Sequence, residues 1–225
     1  MTDAVSNPAS NPAGESPGVD PVSVDDLAPV EFWFDFSSSY AYFAAQNIDA
    51  LAAAHGRRVI WRPYMLGVAF KATGMRGLSG TPIKGDYARR DWARIARETG
   101  LTFRLPPGHP IVALPASRAF YWIEGRDPAA AIAFAKDAFH AYYAQNLDMT
   151  RVEVVAEVAS RRGLDAGAVA AGMAQDDVKA RVKQVSDEGV ARGVFGSPFF
   201  LVDGEPFWGW DRMAMLDRWL ARGGW

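Results

Sequence analysis

Cysteine is absent from the 225-residue sequence, and this absence excludes several kinds of chemistry. Structural disulfides, thiolate metal sites and a redox-active pair of thiols all need cysteine side chains. Any thiol chemistry of this protein must therefore use a thiol that arrives with a ligand.

Histidine is scarce, with only His55, His109 and His140 in the whole sequence. None of the three has the HxxxH or HExxH spacing of a metal site, so we predict no bound metal. The sequence leaves acid–base work by His109 open but does not support it.

Long runs of one residue class are also missing. No apolar stretch reaches the roughly 20 residues that a membrane-spanning helix needs. The formal net charge is −2 and the charges are interspersed, so there is no basic block to bind nucleic acid. The glycine-rich motifs GxGxxG and GxxxxGKS/T, which bind nucleotides, are absent. We expect small-molecule partners, and neither nucleic acid nor a membrane.

The N-terminal segment, residues 1–29, is rich in proline, serine, glycine, asparagine and aspartate and holds almost no large apolar side chains. Such a segment buries too little surface to offset the entropy lost on ordering. It also lacks the basic start and apolar core of a secretory signal. We predict a disordered tail at 1–29, one domain at 30–225 and a cytoplasmic protein.

The sequence from Val30 predicts a βαβ unit. VEFWFDF alternates and is rich in aromatic residues, as strands are, whereas SYAYFAAQNIDALAAAHG has helical spacing. RRVIWRPYML predicts a second strand that ends at Pro63, parallel to the first. We assign no chemistry to Asp35 at the end of the first strand, because strand-end carboxylates are usually solvated.

The middle of the chain predicts an all-helical insertion at about 84–180. Asp127 and Asp165 stand where two of its helices need N-caps. Thr150 and Glu153 have the spacing of a capping box for a third helix.

The last third predicts a helix, a hairpin and a closing helix. FFLVD and PFWG are the expected strands, GE is their turn, and Asp211 is the expected N-cap of DRMAMLDRWLARGG. An N-terminal βαβ and a C-terminal ββα unit together predict an α/β, thioredoxin-like fold with a large helical insertion.

Ser38 is the candidate site residue at the start of the first helix, in the run SSSY. Thioredoxin-like oxidoreductases present the first cysteine of a CxxC pair from this position, so here a hydroxyl replaces the thiol. The unpaired N–H groups and the dipole of a helix N-terminus favour an anion. The turn by itself favours a simple N-cap, and only the distant motifs favour a site residue.

Pro198 directly precedes a predicted strand and follows Gly196 and Ser197, so we expect a cis peptide bond before it. A cis turn would leave the backbone N–H and C=O groups of Ser197 free. They could then pair with an extended, peptide-like ligand as a sheet edge does.

Four segments jointly resemble the branch of the DsbA-like superfamily that contains 2-hydroxychromene-2-carboxylate isomerases and kappa-class glutathione transferases. They are FDFSSSYAYFA, RPYMLGVAFKATG, PIKGDY and FGSPFFLVDGEPFWGWDRM. The resemblance covers nearly everything from Val30 to the C-terminus. It implies glutathione as cofactor and a homodimer.

The resemblance also implies roles for single residues. Ser38 would hydrogen-bond the glutathione sulfur, and Ser197 and Pro198 would hold the tripeptide backbone. Asp211 would meet the γ-glutamyl end, and Lys84 would approach a carboxylate.

The sequence departs from the family pattern at three positions. Met75 stands where the family often has an asparagine that contacts glutathione, and Trp210 replaces a small or amide residue before Asp211. Ser39 replaces the proline of the family's serine–proline pair.

Three functions stay open at this point. The favoured one is a glutathione-dependent cis–trans isomerase of 2-hydroxychromene-2-carboxylate-like intermediates of aromatic degradation. The second is a kappa-class-like glutathione transferase, and the third is a thioredoxin-fold binding module without catalysis. Four aromatic residues could line a substrate pocket, although ordinary core packing is their first explanation: Tyr64, Phe70, Trp92 and Trp208.

Overall fold

The computed structural model describes residues 27–225, so most of the predicted tail lies outside the described residues. Its four strands, β1 to β4 in chain order, are Val30–Phe34, Val59–Pro63, Phe199–Val202 and Glu205–Trp208. They form one sheet in the order β2-β1-β3-β4. β1 is parallel to β2 and antiparallel to β3, and β3 is antiparallel to β4. The predicted thioredoxin-like fold is confirmed.

The helices, α1 to α9 in chain order, are Ser39–Ala53, Leu66–Thr73, Lys84–Thr99, Leu114–Glu124, Pro128–Tyr143, Val152–Ser160, Ala166–Met173, Asp176–Ala191 and Met213–Arg222. Short 3-10 helices cover Leu78–Gly80 and Trp210–Arg212. Helices α2 to α8 lie between β2 and β3. No helix within residues 27–225 is long and apolar enough to span a membrane.

The central strand β1 is buried on both of its faces, because successive side chains on a strand point to opposite sides. On one face, the Phe34 ring lies 6.3 Å from Phe120 of α4 and 5.5 Å from Phe139 of α5. On the other face, Trp33 packs against α8 at Gly189. Helices therefore cover both sides of the sheet, and the strand ends are left to form a site.

Two of the three helix caps predicted for the helical insertion are confirmed. Asp127 Oδ1 accepts from Ala130 N at 3.0 Å, and Asp165 Oδ1 accepts from Ala168 N at 2.6 Å. The capping box is wrong, because the Thr150 hydroxyl donates to Asp148 instead and α6 begins only at Val152.

The turn of the β3–β4 hairpin is Asp203-Gly204, one residue earlier than the predicted Gly204-Glu205. Asp203 and Gly204 both have positive φ, 53° and 82°. Two-residue hairpin turns favour such a pair because its twist matches that of the strands. Glu205 therefore begins β4, opposite Val202.

The contact between α7 and α4 depends on a glycine. A Cβ atom at Gly172 would lie 2.2 Å from the indole nitrogen of the buried Trp122. We expect Gly172→Ala to lower the free energy of unfolding by about 1 to 3 kcal/mol, because a packed core does not accept the extra methyl group. Urea unfolding measures this change.

Gly67 in α2 provides the matched control for this substitution, because nothing lies within 4 Å of a Cβ added there. Gly67→Ala should be neutral or stabilising by up to about 1 kcal/mol, since alanine favours helix. Equal effects of the two substitutions would contradict the packing explanation.

Candidate active site

Ser38 is the N-cap of α1, as the turn sequence predicted. Its Oγ accepts from Ala41 N at 3.2 Å, and its backbone N–H donates to Asp35 O at 2.9 Å. The N–H groups of Ser39 and Tyr40 have no hydrogen-bond partner among the described residues. The helix therefore presents two free donors and a hydroxyl at one point.

The cis-proline loop lies directly beside this helix start. The Ser197–Pro198 peptide bond is cis, which confirms that prediction. The Ser38 hydroxyl donates to Ser197 O at 2.7 Å, and Ser197 Oγ accepts from Asp35 N at 2.9 Å. The expectation of a free Ser197 carbonyl is therefore wrong, because Ser38 occupies it. The Ser197 N–H has no partner among the described residues.

Asp35 holds the serine turn in place, a role that the sequence analysis missed. Its side chain is only 8% exposed, not solvated. Its two carboxylate oxygens accept from Ser37 N at 2.8 Å and from Leu66 N at 3.0 Å. Burial raises the pKa of Asp35, and the two hydrogen bonds partly oppose that rise. The carboxylate thereby joins the end of β1 to the start of α2.

The aromatic residues of the predicted pocket lie in different environments. Tyr64 is fully buried, and its hydroxyl donates to Gly196 O at 2.7 Å, which supports the cis-proline loop. Trp92 is 3% exposed, and its ring lies 5.9 Å from that of Tyr40 in the first turn of α1. Trp208 is 48% exposed and stands over Gly196, whereas Phe70 is half-buried. Tyr64 and Trp92 therefore serve the packing of the site.

A second proline loop contacts the serine turn from the opposite side. The Ile111 N–H donates to Ser37 Oγ at 2.9 Å, and the preceding His109–Pro110 bond is cis. His109 Nδ1 lies 3.1 Å from the Tyr142 hydroxyl. Burial lowers the pKa of His109 to about 4, so the imidazole is neutral near pH 7. The sequence placed His109 in a loop but gave no sign of this arrangement.

Lys84 and Asp211 are exposed. Burial is the main cause that raises the pKa of Tyr40 in the first turn of α1, and the charge of Asp211 adds to this rise, so Asp211 lies near the start of that helix. Lys84 is the first residue of α3 and forms no ion pair with a described residue. Asp211 lies in the 3-10 helix before α9, with a carboxylate oxygen 3.7 Å from an Arg212 nitrogen. Its predicted N-cap role is wrong, because α9 begins at Met213 and Arg212 occupies the cap position without a side-chain bond. Neither side chain hydrogen-bonds Ser38 or Ser197.

Met75 and Trp210, two of the three residues that depart from the family pattern, lie outside the serine turn and the cis-proline loop. Met75 is 38% exposed and follows the glycine that ends α2. Trp210 is half-buried, with its ring 6.4 Å from that of Phe43 in α1. The tryptophan therefore packs against the helix that carries Ser38.

The arrangement suits an anionic ligand, which would meet N–H donors at the helix start and a hydroxyl. Residues 27–225 contain no group of three or more histidine, aspartate or glutamate residues that could hold a metal ion. A thiolate brought by a ligand is the kind of anion that this site can stabilise.

Comparison with known proteins agrees with this geometry. A 2-hydroxychromene-2-carboxylate isomerase of Sphingobium xenophagum is 27% identical over 193 residues, covering 85% of this chain and 97% of that protein. Glutathione S-transferase kappa 2 of Caenorhabditis elegans is 26% identical over 205 residues, with coverage of 85% and 91%. A solved structure of a 2-hydroxychromene-2-carboxylate isomerase is 25% identical and superposes with a TM-score of 0.78. The match covers 86% of this chain and 94% of that one.

The family assignment covers nearly all of the described chain. The sheet order, the cis-proline loop and the helix that starts at Ser38 all lie within residues 29–221, which match the family model of the DSBA-like thioredoxin domain. The chain therefore belongs to the DsbA-like thioredoxin domain family.

Proposed function

We propose that the protein is a glutathione-dependent isomerase that acts on 2-hydroxychromene-2-carboxylate-like intermediates of aromatic degradation. The observation that carries the proposal is the Ser38 hydroxyl at the N-terminus of α1, 2.7 Å from the carbonyl of the cis-proline loop. Relatives named as isomerases match along almost their whole length, which supports an enzyme of this family. The kappa-class relative supports glutathione as the thiol.

The thiolate of glutathione is the reactive species in this proposal. A cysteine-like thiol with a pKa near 8.5 is only about 3% ionised at pH 7, and a fall of two pKa units needs about 2.7 kcal/mol. A hydrogen bond to a charged group contributes roughly 1.5 to 3 kcal/mol, and a helix N-terminus roughly 0.3 to 2 kcal/mol. Ser38 and the free N–H groups of α1 together are sufficient in magnitude.

Binding of the thiolate requires the Ser38 hydroxyl to change partner. In the structure its proton points to Ser197 O, whereas its oxygen accepts from Ala41 N. Rotation about the C–O bond would turn the proton towards sulfur while the cap to α1 remains. A neutral hydrogen bond is then exchanged for a charge-assisted one, which is roughly twice as strong.

The rest of glutathione would bind around this point. The free N–H of Ser197 and the fixed ring of Pro198 suit the tripeptide backbone, and the Ser197 carbonyl becomes available once Ser38 has turned away. Lys84 would meet a glutathione carboxylate, and Asp211 would meet the γ-glutamyl amine. Both side chains are exposed and therefore accessible to a ligand.

The chemistry then follows from a reversible addition. The cyclic hemiketal of 2-hydroxychromene-2-carboxylate first opens to its 2-oxo acid, as the bond from C2 to the ring oxygen breaks and the 2-hydroxyl proton passes to the released phenol oxygen. The thiolate then attacks the conjugated alkene of this acid, and the former double bond becomes a single bond that rotates. Elimination of the thiolate restores the alkene with the other geometry. Glutathione returns unchanged, so it acts as a cofactor.

We also propose that the enzyme is a cytoplasmic homodimer, as its family resemblance implies. Sedimentation of the purified protein at micromolar concentration tests the oligomeric state. A dimer is the expected species, and a monomer would contradict this part of the proposal.

A kappa-class-like transferase is the second candidate, supported by the relative of that name. The same site would serve it, but the adduct would be released as the product. A binding module without catalysis is the third candidate, and Met75 and Trp210 favour it because they alter two family positions. It predicts no turnover with any electrophile.

One assay separates the three functions. Purified protein is incubated with 2-hydroxychromene-2-carboxylate, with and without glutathione, and the products are resolved by chromatography. Isomerised acid that forms only with glutathione, while glutathione is not consumed, is the expected result. Accumulation of a glutathione thioether would favour the transferase, and absence of both products would favour the binding module.

A further inference from the structure

His109 is the one histidine that the structure places beside the serine turn. Its ring lies 5.8 Å edge-on from Trp92, which also packs against Tyr40 in the first turn of α1. Two residues later, Ile111 N–H donates to Ser37 Oγ. His109 therefore borders the serine turn.

The two ring nitrogens of His109 have different surroundings. Nδ1 lies 3.1 Å from the Tyr142 hydroxyl. Nε2 has no partner among the described residues and is not one of their buried unpaired polar atoms, so it reaches solvent. A hydrogen bond therefore fixes the ring at Nδ1, while Nε2 stays accessible to a ligand.

The hydrogen bond to Tyr142 assigns the ring proton to Nε2. The Tyr142 hydroxyl has no other hydrogen-bond partner among the described residues, so Nδ1 of His109 is the acceptor available to its proton. A neutral imidazole that accepts at Nδ1 carries its hydrogen on Nε2.

The surroundings keep the imidazole neutral. The titratable groups that face it are Tyr142 and Tyr143, and burial raises the pKa of both phenols, so neither is charged near neutral pH. No carboxylate among the described residues pairs with the ring.

We propose that His109 is a further catalytic residue, whose Nε2–H donates a hydrogen bond to the 2-oxo oxygen of the unsaturated acid when the thiolate adds. This inference rests on the proposed isomerase function. In the addition a C–S bond forms, the alkene electron pair moves towards the carbonyl, and negative charge develops on that oxygen. In the elimination the pair returns and the C–S bond breaks, so no proton is transferred in either direction.

The neutrality of the ring determines which product forms. An imidazolium would give its proton to the enolate and trap the thioether, which is the transferase outcome. A neutral N–H stabilises the charge without releasing its proton, so the addition stays reversible. Preorganised donors of this kind contribute about 10²- to 10³-fold to kcat in other enzymes.

Three variants test the inference in the full-length protein with glutathione and 2-hydroxychromene-2-carboxylate. His109→Ala should lower kcat about 10²-fold while leaving the glutathione thiol pKa unchanged. His109→Gln keeps an N–H donor and should retain most of the rate. Tyr142→Phe should give an intermediate loss, because it removes the group that fixes the tautomer. His140→Ala, on the exposed side of α5, is the matched control and should match the wild type.

Nitrogen NMR of the wild-type protein without substrate supplies an independent readout. The expected spectrum shows a neutral His109 with its hydrogen on Nε2 at about pH 7, and titration well below the usual range near 6.5. A charged ring, the Nδ1–H tautomer, or wild-type kcat in His109→Ala would each overturn the inference. Absence of wild-type turnover would instead refute the proposed function, and this inference with it.

Discussion

Replacement of Ser38 by alanine is expected to lower kcat for isomerisation about 10²-fold, because the variant loses the hydroxyl that stabilises the glutathione thiolate. The same change removes the N-cap bond to Ala41 N, so the free energy of unfolding should fall by about 0.5 to 2 kcal/mol. Steady-state kinetics and urea unfolding measure the two effects separately.

Two further substitutions separate the cap from the catalytic role. Ser38→Asp keeps an N-cap oxygen but cannot donate to Ser197 O, and it places a negative charge where the thiolate would bind, so we expect lost activity even though the cap to α1 remains. Ser39→Ala removes a neighbouring buried hydroxyl that has no hydrogen-bond partner among the described residues, and it should change neither property much. Full activity in Ser38→Asp would contradict the assigned role of Ser38.

The second large effect is expected at Asp35. Asp35→Ala removes the acceptor from the N–H groups of Ser37 and Leu66, and it leaves two donors unpaired in a buried place. We expect the free energy of unfolding to fall by roughly 2 to 5 kcal/mol. The kcat should fall as well, because the serine turn and the start of α2 lose their common anchor.

The pH dependence of stability distinguishes the charge of Asp35 from its hydrogen bonds. The pKa of this carboxyl is higher in the folded protein than its usual value of 3.8, so the folded state favours the protonated acid. Its contribution is therefore fully present below that usual value and is lost as the pH rises through the folded pKa. Relative to Asp35→Asn, which does not titrate, the wild type should lose stability as the pH rises above about 4 and through the raised pKa of Asp35.

Urea unfolding of both proteins across this range checks the sign. A stability difference that does not change with pH would contradict a raised pKa for Asp35. A difference that changes in the opposite direction would mean that hydrogen bonds to the carboxylate outweigh its burial.

The sequence predicted those parts of the fold that depend on local patterns. Alternation in VEFWFDF and helical spacing after Ser38 are local, and so are the caps at Asp127 and Asp165. The hairpin turn was misplaced by one residue although its signal is local too, because Asp203-Gly204 tolerates positive φ better than Gly204-Glu205. The sequence analysis missed helix α2, because its eight residues directly follow a strand and show no clear division into a polar and an apolar face.

Only those site residues that lie in a recognisable turn or in a motif of the resembling family could be predicted from the sequence. Ser38 and the cis bond at Pro198 were found in this way. The bond from Ser38 to Ser197 joins residues 159 positions apart, and Asp35 is buried by partners from other elements, so no local pattern reports either contact. A role for His109 found no support in the sequence for the same reason, because Tyr142 and Trp92 contact it from α5 and α3.

The most direct test of the central claim is a titration of bound glutathione, followed by thiolate absorbance in the near ultraviolet across pH. The wild type should ionise the thiol about two pKa units below its free value near 8.5, and Ser38→Ala should return it most of the way. Ser39→Ala should leave the wild-type value unchanged. A thiol pKa that is the same in the wild type, in Ser38→Ala and in free glutathione would contradict the account.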